Sequence, residues 1–141
     1  MTTTRNHVNQ YSQVKNYTGI TDANPHQLVA MLLEGAMSKL SIVKGMLTRG
    51  ETSRKGEIIG QVIAIIGGLR SSLDMDQGGE LAENLDNLYE YMERRLVQAN
   101  LKHDMDIIDE VTLLLREIKA GWDSIPQQYR EAKESGLALV P

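Results

Sequence analysis

The chain has 141 residues and a mass of 15.7 kDa, enough for one domain around a single ordinary core. It contains no cysteine, which excludes disulfides, thiolate metal sites, redox pairs and cysteine nucleophiles together. A net charge of −4 argues against general affinity for nucleic acid or anionic lipid, and 41% apolar with 24% charged residues is a globular composition.

Met1 to Val8 lacks the apolar run of a secretory signal. No stretch approaches the roughly 18 apolar residues of a membrane span, since Ile58 to Leu69 is broken by Gly60, Gln61 and Gly67-Gly68. A cytosolic protein is the expectation. Phenylalanine is absent, and Trp122 and five tyrosines are the only aromatics. The core must therefore be built from Leu, Ile, Val and Met, a palette that favours helices.

The N-terminal segment carries Val8, Tyr11, Val14, Tyr17 and Ile20 at strict intervals of three. An α-helix would wind that row around itself by about 60° per step. An extended conformation with three residues per turn gathers it into one stripe. Residues 1–24 are thus expected to form a mobile strap laid across a bundle, or a short extra helix using Val8 and Tyr11.

Four helices are predicted next. Asn24-Pro25 is an N-cap followed by proline at the first helical position, and Gly50 suits a left-handed stop, giving a helix over 25–49. A second runs from Ser53 with the stripe Ile58, Val62, Ile65, Leu69 and Leu73. Asp74 to Gly79 is the turn. The third spans 80–100 with Leu81, Leu85, Leu88, Met92, Leu96 and Ala99 on one stripe. The fourth starts at the N-cap Asp104, carries Ile108, Val111, Leu115, Ile118 and Trp122, and ends before Pro126. Short loops between amphipathic helices imply an all-α, antiparallel up-down four-helix bundle. A single domain over 1–141 is expected, with the bundle at 25–125 and a polar tail at 126–141.

No catalytic constellation emerges. None of His7, His26 and His103 has Glu three residues before it, which removes the carboxylate-bridged di-metal class. Asp74-x-Asp76-x-Gly78 opens like a calcium loop, but its twelfth position is Leu85 rather than Glu. Asp104, Asp106, Asp109 and Glu110 read as a helix N-terminus. His26 reads as an exposed polar residue, Gly67-Gly68 as close helix packing, and Arg94-Arg95 as a solvated face. No cofactor, metal or enzymatic activity is expected.

The helices do carry more apolar surface than a bundle needs. A packed helix uses an arc of roughly 100–140°. Ile59, Ile63 and Ile66 widen that of the second helix, and the first, from Leu28 to Leu47, is wider still. Tyr91 and Val97 lie off the third stripe, and Leu113 points away from Trp122. A long apolar groove on a small protein receives a partner. The expected partner-binding set is Val8, Tyr11, Ile59, Ile63, Ile66, Tyr91, Val97 and Leu113, with the strap competing for the groove.

Pro25-His26-Gln27-Leu28-Val29-Ala30-Met31-Leu32-Leu33-Glu34-Gly35-Ala36 resembles the start of the flagellin export chaperones, the FliS family. So do Leu73-Asp74 with Gly78 to Leu85, Leu88-Tyr89-Glu90-Tyr91-Met92, Arg94-Arg95-Leu96, Gln98-Ala99-Asn100-Leu101, Glu110-Val111, Leu114-Leu115 and Trp122. Leu33 stands where the family commonly has Phe or Tyr, and Gly121 where Ala is common. The resemblance implies a cytosolic bundle that binds the C-terminal segment of flagellin. It also implies that the protein prevents early polymerisation and helps deliver the subunit to the flagellar type III export gate. The rival is a self-associating structural or adaptor bundle whose apolar flank forms a homodimer.

Overall fold

A computed structural model describes residues 24–126. Val8, Tyr11 and the rest of the expected strap lie outside those residues, as does the tail beyond Pro126. The described chain is four α-helices: α1 Pro25–Thr48, α2 Lys55–Ser71, α3 Gly79–Lys102 and α4 Met105–Asp123.

Local chemistry sets the helix ends. The Asn24 side chain accepts the Gln27 N–H at 2.8 Å, the Gln27 side chain accepts the Asn24 N–H at 3.3 Å, and Pro25 occupies the first turn. This capping box satisfies amides that would otherwise lack partners. The chain leaves α1 through Gly50, whose φ of +72° is strained for any residue with a Cβ. Before α3, Asp74 Oδ1 accepts the N–H groups of Asp76 and Gln77, at 3.1 and 3.0 Å, and the Asp74 carbonyl accepts that of Gly78 at 2.7 Å. Asp74 thus organises a turn. A Cβ on Gly78 would lie 2.6 Å from that of Ala82 and 2.7 Å from the Asp74 carbonyl oxygen, so glycine is required. Asp104 caps α4 by accepting from Asp106 and Ile107.

α2 begins at Lys55 rather than near Ser53, and no side chain caps it. Lys55 instead reaches α3: its buried ammonium donates to the Asn100 carbonyl at 2.8 Å and to the Asn100 side-chain oxygen. Asn100 lies in the last turn of α3, where carbonyls lack helical partners and the dipole is negative. Burial lowers the Lys55 pKa.

Cross-helix pairs show the topology. His26 meets Trp122, Glu34 meets Lys119 and Lys44 meets Asp109, so α1 and α4 run antiparallel. Lys55 with Asn100 and Arg70 with Asp86 give the same sense to α2 and α3. α1 and α3 each pack against both α2 and α4, closing an up-down bundle.

The core contains Leu28, Leu32, Leu33, Leu40, Val62, Ile65, Leu69, Met92, Leu96, Ile108, Val111 and Leu115. Three expectations need correction. Ile59 and Ile66, placed off the α2 stripe, are only 1% and 0% exposed. The buried arc of α2 is centred nearer Lys55, Ile59, Val62, Ile66 and Leu69, which leaves Ile58 partly buried at its edge. Leu81, placed in the core, is 47% exposed, while Ala82 and Tyr89 are buried in α3. His26, expected in solvent, is buried against Trp122.

Candidate partner-binding cleft

The seams between helices differ in what fills them. Between α2 and α3, Arg70 donates from Nε to Asp86 at 2.9 Å and from Nη1 to Glu93 at 2.8 Å. Partial burial raises the Glu93 pKa against the opposing pull of Arg70. Between α1 and α4 runs a groove of about 640 Å³ crossed by Lys44–Asp109 and by Lys119 with Glu34 and Asp123. Both seams are occupied by partnered charges.

The α3–α4 seam is different. One end is closed by Tyr91, whose hydroxyl donates to Glu110 Oε2 at 2.6 Å, and by Arg95, whose Nε donates to Glu110 Oε1 at 2.9 Å. The Tyr91 hydrogen bond, followed by Arg95, holds the Glu110 carboxyl below its ordinary range. Toward the start of α3 and the end of α4 the helices part around a cleft of about 340 Å³. Its walls are Leu81, Leu85 and Tyr89 from α3 and Ile118, Gly121 and Trp122 from α4. Val29, Leu73 and Ile125 close the base and rim.

Trp122 is held as a wall by a residue at the far end of the bundle sequence. Its indole N–H donates to the His26 carbonyl at 2.9 Å, and His26 Nε2 lies 3.0 Å from the Trp122 carbonyl oxygen. That oxygen can only accept, so Nε2 carries the proton. The rings stack at 4.7 Å with 9° between their planes. One face of the site is thus fixed before any partner arrives.

Of the eight residues expected to bind a partner, the six that are described do not form one surface. Val8 and Tyr11 lie outside the described residues, and Ile59 and Ile66 are core. Ile63 is partly buried; by helical spacing it lies two turns before Arg70 on its face of α2, and Val97 lies one turn after Glu93 on its face of α3. Tyr91 is on the α4-facing side of α3, bound to Glu110, and Leu113 is exposed one turn beyond Glu110. Val97 and Leu113 are each 51% exposed, in keeping with their off-stripe positions. The stripe reading misses the cleft because it assigns Leu81, Leu85, Ile118 and Trp122 to the core, whereas Leu81 is half exposed and all four line the cleft. Gly121 is the one cue in the sequence: it removes a side chain from the α4 wall beside Trp122.

The lining is mostly apolar, with Ser72 and Glu117 as its polar members beside Tyr89, and offers no acid–base pair. Among the described residues no group of three or more His, Asp or Glu side chains could hold a metal, and no helix is long and apolar enough to cross a membrane. A half-exposed leucine beside a preformed apolar cleft suits the apolar edge of another helix or strand.

The sequence model described as flagellar protein FliS matches residues 7–129. The chain belongs to the FliS family. A flagellar secretion chaperone FliSB of Pseudomonas aeruginosa is 50% identical over 116 residues, covering 82% of this chain and 92% of that protein. The flagellar secretion chaperone FliS of Vibrio cholerae is 39% identical over 135 residues, covering 94% and 99%. That of Salmonella typhimurium is 44% identical over 119 residues, covering 84% and 88%. The FliS match includes both walls of the cleft and the His26–Trp122 clamp.

Proposed function

We propose that the chain is a cytoplasmic export chaperone that binds the C-terminal segment of flagellin, keeps it from polymerising, and assists its delivery to the type III export gate. The observation that carries this reading is the α3–α4 cleft, with Leu81 half exposed at its mouth in a protein of the FliS family. Flagellin's terminal segments are amphipathic and associate with one another in the filament, so a free subunit needs a cover for its apolar stripe. A groove between two helices accepts such a stripe at its i, i+3, i+4 and i+7 positions. Binding consumes no nucleotide, because it requires only apolar burial.

Titration of the full chain with a flagellin C-terminal peptide, followed by calorimetry and light scattering, tests this. A one-to-one complex with a negative heat-capacity change supports it. A stable homodimer that takes up no peptide supports the self-associating bundle instead.

A further inference from the structure

The cleft opens at the end of the bundle where the chain leaves α4. Ile125, two residues past that helix, lines the cleft itself, and Pro126 follows. Beyond it the sequence changes character twice: Gln127 to Gly136 is polar and charged, then Leu137-Ala138-Leu139-Val140 is apolar. The match to the family model ends at residue 129, before this apolar run.

We infer that Leu137–Val140 docks in the α3–α4 cleft as an intramolecular plug that a client must displace, an inference that rests on reading the cleft as the client site. In an extended segment Leu137 and Leu139 point to the same side. An apolar cavity of about 150 Å³ holds one benzene. The cleft's roughly 340 Å³ therefore matches two leucine-sized side chains. Reach is no obstacle, since residues 127–136 can span about 33 Å and the chain departs from the rim of the cleft. Arg130, Glu131, Lys133 and Glu134 balance in charge and make that connection polar in composition. Attachment makes a weak contact sufficient. An effective concentration of order millimolar exceeds a dissociation constant of a few hundred micromolar several-fold, so the cleft is mostly closed and apparent client affinity falls about three- to ten-fold.

The absence of cysteine allows a single spin label at Ala138→Cys. Magnetic resonance of the full chain should show broadening of the Trp122 indole N–H and the Leu81 and Leu85 methyl groups, while Gly50 and His103 at the opposite end are spared. Leu137→Asp with Leu139→Asp should abolish that pattern and tighten flagellin-peptide binding about three- to ten-fold. Broadening without any flagellin binding supports the plug and overturns the client reading alone. Flagellin binding with no preferential broadening overturns the plug alone. Three further results also overturn it: unchanged peptide affinity in the double variant, broadening seen only between labelled and unlabelled copies, and cleft exposure produced by deleting residues 1–14 instead.

Discussion

His26 and Trp122 hold each other twice over, backbone carbonyl to opposite ring, with the rings stacked at 4.7 Å. The pair ties the first turn of α1 to the last of α4 and fixes one wall of the cleft. His26→Ala removes the stacked partner and leaves the Trp122 carbonyl without its donor. Stacking contributes about 0.5–1.5 kcal/mol and the hydrogen bond about 1 kcal/mol, so a loss of about 2 kcal/mol is expected. Urea unfolding measures it, and a change under about 0.5 kcal/mol would show that the clamp is not a stabilising contact.

Glycine positions give opposite predictions. A Cβ at Gly35 or Gly60 meets nothing within 4 Å, and both lie inside helices. Alanine there should raise stability by about 0.5–1 kcal/mol through lower unfolded-state entropy. Gly78→Ala should instead cost more than about 1 kcal/mol, because the Asp74 carbonyl it strikes is backbone and hydrogen-bonded. Thermal melts of the three variants check the contrast. Destabilisation by Gly60→Ala would mean the α2 helix is not packed as described.

Much of this was legible from local chemistry. Asn24-Pro25, Gly50 and Asp104 announce helix ends because a cap needs only its own neighbours. The bundle follows from four such helices. His26 was not legible, since its partner lies 96 residues away. Ile59 and Ile66 were misplaced because the apolar arc of α2 is wide, and sequence alone does not say where its centre faces. The cleft was hidden for a related reason: a helical wheel gives the direction of Leu81 and Ile118 but not how far α3 and α4 stand apart.

Tyr89 predicts the alkaline limit of stability. Burial raises its pKa well above the ordinary 10.0. Above pH 10 the unfolded chain releases the phenolic proton while the folded chain keeps it, so stability falls with rising pH. The slope is about 1.4 kcal/mol per pH unit until the folded phenol ionises. Lys55, whose pKa burial lowers, contributes the opposite slope up to its unfolded value of 10.5. The pKa values of Tyr91 and Lys119 are both raised by their hydrogen-bonded carboxylate partners, so these groups lose stability in the same direction. Tyr89→Phe should therefore lessen the alkaline loss in chemical denaturation between pH 9 and 11 rather than abolish it. Equal loss in the variant would place its origin elsewhere.

The central claim, that flagellin binds at the α3–α4 cleft through apolar contact, is tested most directly by Leu81→Asp. At 47% exposure the side chain can change without disturbing the core, so helical content should stay intact. Burying an unpaired carboxylate against flagellin should weaken binding at least about ten-fold, whereas Ile42→Asp, on the exposed face of α1, should leave it unchanged. Wild-type affinity itself should vary little between low and moderate ionic strength, because the cleft walls carry few charges. Calorimetric titration of the three proteins with one flagellin C-terminal peptide decides the matter. Loss of affinity in Leu81→Asp alone is the predicted result, and equal affinity in all three would contradict the site.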